Sequence, residues 1–204
     1  RKNGTFARLE LQCVPLIDNA GRLHGVAEIF RGTHGSGRQT REVQQLLAAA
    51  TCDPLTSVLN RGQLEAQLTL TLEERLRNPA EETFAVIFID VDHFKKVNDN
   101  FGHSVGDTVL KEVAYLLQHE LYSGEIVGRY GGEEFVAVCP QTDLSGGVNK
   151  AERLRLAISR LEIPELKGGS VTASFGVAAF EEGDTQETVK HRADVALYRS
   201  KQMG

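Results

Sequence analysis

The chain has 204 residues, of which 41% are apolar and 25% charged, and a net charge of −5 at pH 7. That length holds one full core plus a smaller attached piece, and the apolar content is too high for intrinsic disorder. The acidic balance, uninterrupted by any basic stripe, argues against a nucleic-acid partner, which requires a phosphate-neutralising surface.

Cys13, Cys52 and Cys139 are odd in number and far apart, a pattern that fits neither a disulfide framework nor a zinc site and points to a reducing cytoplasm. No apolar run is long enough to cross a bilayer and no signal peptide is recognisable. The sequence opens on Arg1, so any membrane anchor would belong to a region preceding it.

Residues 1–37 alternate as strands do. Phe6, Leu9, Leu11, Cys13 and Leu16 precede the turn Asp18-Asn19-Ala20-Gly21, and Leu23, Val26, Ile29 and Phe30 follow it, which predicts a β-hairpin. Two strands alone are marginal in water, so the hairpin belongs to something larger or leans on a neighbour. Its turn and its closing Glu28-Ile29-Phe30-Arg31 resemble the C-terminal end of a PAS sensor domain, which implies that this stretch is a fragment of such a sensor.

The Gly-rich stretch Thr33 to Gly37 marks a boundary. Residues 38–52 then read as a linker helix with Val43, Leu46, Leu47 and Ala50 on one face. That stripe either packs on its own domain or pairs with a second copy. Asp53-Pro54-Leu55-Thr56 breaks the helix, because proline disfavours helix in the residue before it, and a third segment, 53–204, starts there.

Within that segment the periodicities predict helix 61–77, strand 84–90, helix 104–120, strands 125–129 and 134–139, helix 144–161, strand 171–178 and helix 185–201. Without the first and last helices the order is β-α-β-β-α-β, the ferredoxin-like arrangement, so the fold class is α+β with added helices. Right-handed crossover makes the first two strands parallel. Asp90, at the end of the first, and the Gly131-Gly132 turn between the second and third are then expected at the same sheet edge.

The strand Phe84–Ile89 is almost wholly apolar, as a strand buried on both faces should be, and ends in Asp90-Val91-Asp92. Asp92 either caps the following turn or joins Asp90 in binding. Gly131-Gly132 reads as a two-residue hairpin turn. The adjacent Glu133 and Glu134 repel each other unless a cation or donor network offsets them. Magnesium is held by one or two carboxylates plus substrate phosphates, the inventory that Asp90, Glu133 and Glu134 supply.

These motifs resemble one family closely. Gly131-Gly132-Glu133-Glu134-Phe135 matches the signature of GGDEF domains in its form with glutamate third. Asp53-Pro54-Leu55-Thr56 with Leu59-Asn60-Arg61 resembles the family's opening motif. The stretch Asp90-Val91-Asp92-His93-Phe94-Lys95, Asn98-Asp99 and Gly102-His103-Ser104-Val105-Gly106-Asp107 is similar to its nucleotide-binding region. Ala196-Leu197-Tyr198 with Lys201 fits its final helix, while the phosphate-touching arginine of the family would fall after Gly204.

The resemblance implies a nucleotidyl-cyclase and polymerase palm-like fold and a diguanylate cyclase that condenses two GTP into cyclic di-GMP. It implies that Asp90, the Val91 carbonyl and Glu133 bind Mg²⁺, with Glu134 assisting and Mn²⁺ as a substitute. Glu133 would also accept a proton, and Lys95 would offset charge on the transferring phosphate. Lys201 would hold the triphosphate, Asn98 and Asp107 would read the guanine edge beside His103 and Phe94, and Gly131 and Gly132 would let the nucleotide approach the backbone.

One site takes one GTP, so a homodimer with opposed sites is expected, its spacing set by the linker helix. Where many members carry an arginine and an aspartate as a product-inhibition site, this chain has Tyr122 and Glu125, and tyrosine cannot supply the bidentate charged grip. Two other readings stay open. One is a catalytically silent nucleotide-binding module, against which intact Asp90, Lys95 and Glu133 argue; the other is a cyclase acting on a single nucleotide. Asp107 also stays open between guanine recognition and a capping box with Ser104.

Overall fold

The computed structural model describes residues 10–17, 23–31, 48–78 and 83–203, and the chain divides into two compact units, Arg1–Ala50 and Thr51–Gly204. In the first unit, β1 (Glu10–Ile17) and β2 (Leu23–Arg31) form an antiparallel hairpin. Its register runs from Glu10 opposite Arg31 to Leu16 opposite Gly25, with a slip between Leu16 and Ile17. The expected hairpin is therefore present, while its Asp18–Gly21 turn and the linker helix before residue 48 lie outside the described residues. Residues 48–51 are helical.

The second unit is built on a four-stranded antiparallel sheet in the order β4-β5-β3-β6. β3 (Ala85–Val91) lies between β5 (Glu134–Cys139) and β6 (Ala173–Ala179), and β4 (Ile126–Gly131) pairs with the far side of β5. Both β3 and β4 run against β5, so they share a direction, as the crossover rule requires. The C-terminal end of β3 and the β4–β5 turn consequently meet at one end of the sheet.

Side chains alternate between the faces of a strand, and β3 uses both. Ala85, Ile87, Ile89 and Val91 pack with Val109, Val113 and Leu117 of α3 (His103–Glu120) and with Leu154 and Ile158 of α4 (Leu144–Ser159). Val86 and Phe88 pack with Leu64 and Leu68 of α1 (Arg61–Arg77) and with Val189, Ala193 and Leu197 of α5 (Gln186–Met203). Serving two cores, β3 has no polar face and its sequence shows no alternation. Among the described residues, no helix is long and apolar enough to cross a membrane.

Two helix starts are capped by side chains: the Asn60 side chain accepts from the Gln63 N–H at 2.9 Å, and Asp143 accepts from the Gly146 N–H at 2.7 Å. Two others differ from the sequence reading. The eight residues Phe94–Phe101 form α2, whose N-cap His93 is left-handed at φ 55° and makes no side-chain cap. α3 begins at His103 after Gly102 at φ 86°, again without a side-chain cap. Ser104 thus lies inside the first turn, and the capping box with Asp107 is not formed.

α5 sits unusually close to β6. A Cβ placed on Gly176 would lie 2.2 Å from both the Ala193 carbonyl oxygen and the Leu197 nitrogen, so only backbone relocation accommodates a methyl there. Gly176→Ala should lower the unfolding free energy by about 3 kcal/mol or more, the upper end for overpacking. Gly62→Ala, whose Cβ meets nothing nearer than 3.6 Å, should be neutral or slightly stabilising in its helix. Urea midpoints of the two variants check both expectations.

Candidate active site

The register of β3 against β5 sets Asp90 opposite Glu134, and the Val91 N–H donates to the Glu133 carbonyl at 3.3 Å. Asp90 shares the face of Val86 and Phe88, toward α5. There the Lys201 ammonium, in the last turn of that helix, lies 2.7 Å from Asp90 Oδ2. The Asp90 side chain is 9% exposed and that of Lys201 41%.

Burial pushes the Asp90 carboxyl above the ordinary carboxylate range; Lys201 opposes the shift, and the negative charges of Glu133 and Asp92 add to it. Glu134 is raised in the same way, first by burial and then by Asp90 and Glu133, against Lys201. Among the described residues, no three acidic, histidine or cysteine side chains converge closely enough to cage a metal unaided. Asp90, Glu133 and Glu134 form a partial set of hard oxygen donors, of the kind magnesium completes with water and phosphate.

The turn differs by one residue from the sequence expectation. Gly131 closes β4 opposite Glu134, after a slip in register past Arg129, and the loop is Gly132-Glu133. Glu133 is thereby carried to the tip. Arg129 fixes this loop: its Nε and Nη2 donate to the Gly132 carbonyl at 3.0 and 2.7 Å. Its Nη1 donates to both Asp53 carboxylate oxygens at 3.1 and 3.3 Å. Asp53 also accepts from the Thr56 amide at 2.9 Å, the Thr56 hydroxyl at 2.7 Å and the Leu55 amide at 3.2 Å.

One guanidinium thus ties the opening motif to the signature turn. Sequence reasoning overlooked Arg129, although a basic residue abutting the signature and an acid in the opening motif were both visible. Beside it, the Arg61 guanidinium stacks 4.3 Å above the Tyr130 ring, which meets Phe88 edge-on at 5.3 Å.

Asp92 accepts from the Thr172 hydroxyl at 2.8 Å and the Ser174 hydroxyl at 2.7 Å, so it ties β3 to the neighbouring strand. The remaining expected site residues lie on the two helices that follow β3. Phe94 and Asn98, half-buried on α2, press against Gly106 of α3, where an added Cβ would lie 2.0 Å from Asn98 Oδ1 and 3.2 Å from Phe94 Cζ. Lys95, His103 and Asp107 are exposed.

At the opposite end of β3 a cavity of about 630 Å³ is lined by residues including Thr83, Tyr122, Asp143, Lys150 and Arg153. Beside it, Glu125 pairs with Lys150, both side chains being buried, and accepts from the Tyr122 N–H at 2.8 Å. Lys150 and Arg153 lie 4.6 and 4.9 Å from the Tyr122 ring centre. Nearby, burial pushes the Cys139 thiol up to about 12, which leaves it an inert core residue.

Residues 50–204 match the family described as "Diguanylate cyclase, GGDEF domain". The chain belongs to the GGDEF family. As a GGDEF protein it is 43% identical over 157 residues to diguanylate cyclase DgcP of Pseudomonas aeruginosa, covering 76% of this chain and 23% of that protein. It is 40% identical over 162 residues to the response regulator PleD of Caulobacter vibrioides, covering 78% and 35% respectively.

The crystal structure of the coiled coil and GGDEF domain of DgcB from Caulobacter crescentus, in complex with c-di-GMP, is similar with a TM-score of 0.75 at 30% identity, covering 82% of this chain and 88% of that one. The chain spans less than half the length of the curated relatives it matches.

Burial alone would raise the Asp53 carboxyl, but the Thr56 and Arg129 hydrogen bonds outweigh it and hold the group below its ordinary value. A depressed folded pKa contributes stability that is full above the unfolded value of about 3.9 and is lost as pH falls through the folded one. Asp53→Ala should therefore cost about 2 kcal/mol at pH 7. Chemical denaturation across a pH series should show the gap from wild type narrowing below about pH 4.

Proposed function

We propose that the chain is the catalytic part of a diguanylate cyclase, which joins two GTP into cyclic di-GMP and releases two pyrophosphates. The observation that carries this reading is the meeting of Asp90, the Gly132-Glu133 loop and Lys201 at one end of the sheet, next to the helices that bear Lys95, Asn98 and Asp107. Family membership and the named diguanylate cyclase among the relatives support it.

A divalent cation fits these residues: the donors are all hard oxygens, and a positive charge, the Lys201 ammonium, already meets the Asp90 carboxylate. Asp90, the Val91 carbonyl and Glu133 would hold it, with Glu134 assisting, and Mg²⁺ or Mn²⁺ suits such a set. When bound, it would neutralise charge on the triphosphate as a Lewis acid.

The chain's own groups do the rest. Glu133, at the loop tip, accepts the proton of the attacking 3′-hydroxyl, and Lys95 in the first turn of α2 offsets charge on the transferring phosphate. Lys201 grips the triphosphate, while the glycines at 131 and 132 leave room for it against the backbone. Asn98 and Asp107, with Phe94 and His103 beside them, face the guanine edge. A carboxylate accepts from the paired N–H donors of guanine, which adenine lacks. Each domain presents one GTP, so two copies must face each other, in the cytoplasm. Residues 1–37 would be the tail of a PAS-like sensor and residues 38–52 the helix that relays its state.

Incubation with GTP and Mg²⁺, followed by mass analysis, should yield cyclic di-GMP with a specific activity that rises with protein concentration. Asp90→Asn and Glu133→Gln should each lower kcat about a thousandfold. A cyclic mononucleotide product, or full activity in either variant, would overturn the reading.

The cavity holds Tyr122 where an arginine was expected to grip product, its Arg153 is engaged by Glu120 and the Tyr122 ring, and Glu125 is spent on Lys150. Progress curves should show little product inhibition. Submicromolar inhibition abolished by Tyr122→Ala would contradict this.

A further inference from the structure

Resting on the reading of Asp90 as a metal ligand, we propose that Lys201 is an internal counter-cation that holds Asp90 until a metal ion and a triphosphate arrive together, and so keeps loose divalent cations out of the site. At this sheet end Lys201 meets Asp90 at 2.7 Å and opposes the like charges of Glu133 and Asp92 on Asp90, and those of Asp90, Glu133 and Asp194 on Glu134. An unpaired carboxylate as buried as Asp90 is strongly disfavoured. Lys201 supplies the missing charge from one turn beyond Leu197, the last of the α5 residues buried against the sheet, and on the same helical face.

The partner's chemistry suits a temporary role. Lysine is a compact point charge on a flexible stem, whereas arginine would lock the carboxylate in a planar fork. Lys201 is more than a third exposed, so its head can leave toward solvent without a buried penalty, while Asp90 stays in place on its strand. A divalent ion and an ammonium on the same carboxylate repel each other, so a metal that binds Asp90 must evict Lys201. A triphosphate offers the evicted ammonium a new anionic partner. Ion and nucleotide therefore bind with positive coupling: each relieves the obstacle to the other. A purely structural ion pair behaves oppositely, since loss of the lysine would loosen Asp90 and weaken any cation bound there.

The test uses Mn²⁺ alone, without nucleotide, titrated into the full chain and followed by electron paramagnetic resonance. Lys201→Met should bind Mn²⁺ about tenfold more tightly than wild type, within the usual span of site coupling. Lys201→Arg, which keeps the charge and grips the carboxylate more firmly, should bind Mn²⁺ no more tightly than wild type, and adding Asp90→Asn to Lys201→Met should abolish the tightened site. Equal or weaker binding by Lys201→Met at a site that still needs Asp90 would overturn the inference while leaving the metal reading intact. Binding indifferent to Asp90 in every variant would sink both.

A second measurement needs no variant. Acylation of the Lys201 amine in wild type, mapped by mass spectrometry, should accelerate on saturation with Mn²⁺, and unchanged protection would also overturn the proposal.

Discussion

The pairing of β3 with β5 places the functional groups of the domain. Because strand side chains alternate, a slip of one residue would turn Asp90 from the α5 side of the sheet to the α3 and α4 side. Apolar side chains fill both faces, Ile87 and Ile89 in one core and Val86 and Phe88 in the other, so along most of the strand the slip would merely exchange one apolar residue for another. Its cost falls on Asp90, whose carboxylate would be driven into the α3 and α4 core away from the Lys201 ammonium. The pairing of that carboxylate with its ammonium is therefore what favours the observed register and holds Asp90 at a fixed point on the sheet's rim.

Two aspartates show how differently one fold treats the same side chain. Asp53 collects donors from Thr56, Leu55 and Arg129 and stays readily ionised. Its work is finished when the chain folds, for it welds the opening segment to the signature loop. Asp90 is pressed the other way by burial and by like charges, with a half-exposed amine as its counterweight. A carboxylate left under-compensated in a place that packing could have filled with a leucine accords with the binding role proposed for Asp90.

Much of this was legible in the sequence because the relevant signals are local. The uniform apolar run of β3, the alternating residues of the hairpin and the glycines beside paired glutamates each report a short-range constraint, and the crossover rule assembles the strands. What escaped was of two kinds. α2 is only eight residues long and starts from a left-handed histidine without a capping side chain, so neither period nor cap announced it. Arg129 acts through partners at Asp53 and Gly132, and the first of these is remote in sequence. Pattern reading along one stretch cannot pair it with its acid. The position of the β4–β5 loop was missed by one residue because the slip past Arg129 leaves no trace in composition.

The absence of a side chain at residue 176 has a bearing beyond packing. Through that gap the backbone of α5 rests almost directly on β6, and β6 is hydrogen-bonded to the strand that ends in Asp90. The height of the helix above the sheet, and with it the reach of the Lys201 ammonium further along the chain, is gauged by a single hydrogen atom. The geometry of the rim is in this sense calibrated from the interior, at a point where the chain displays no chemistry at all.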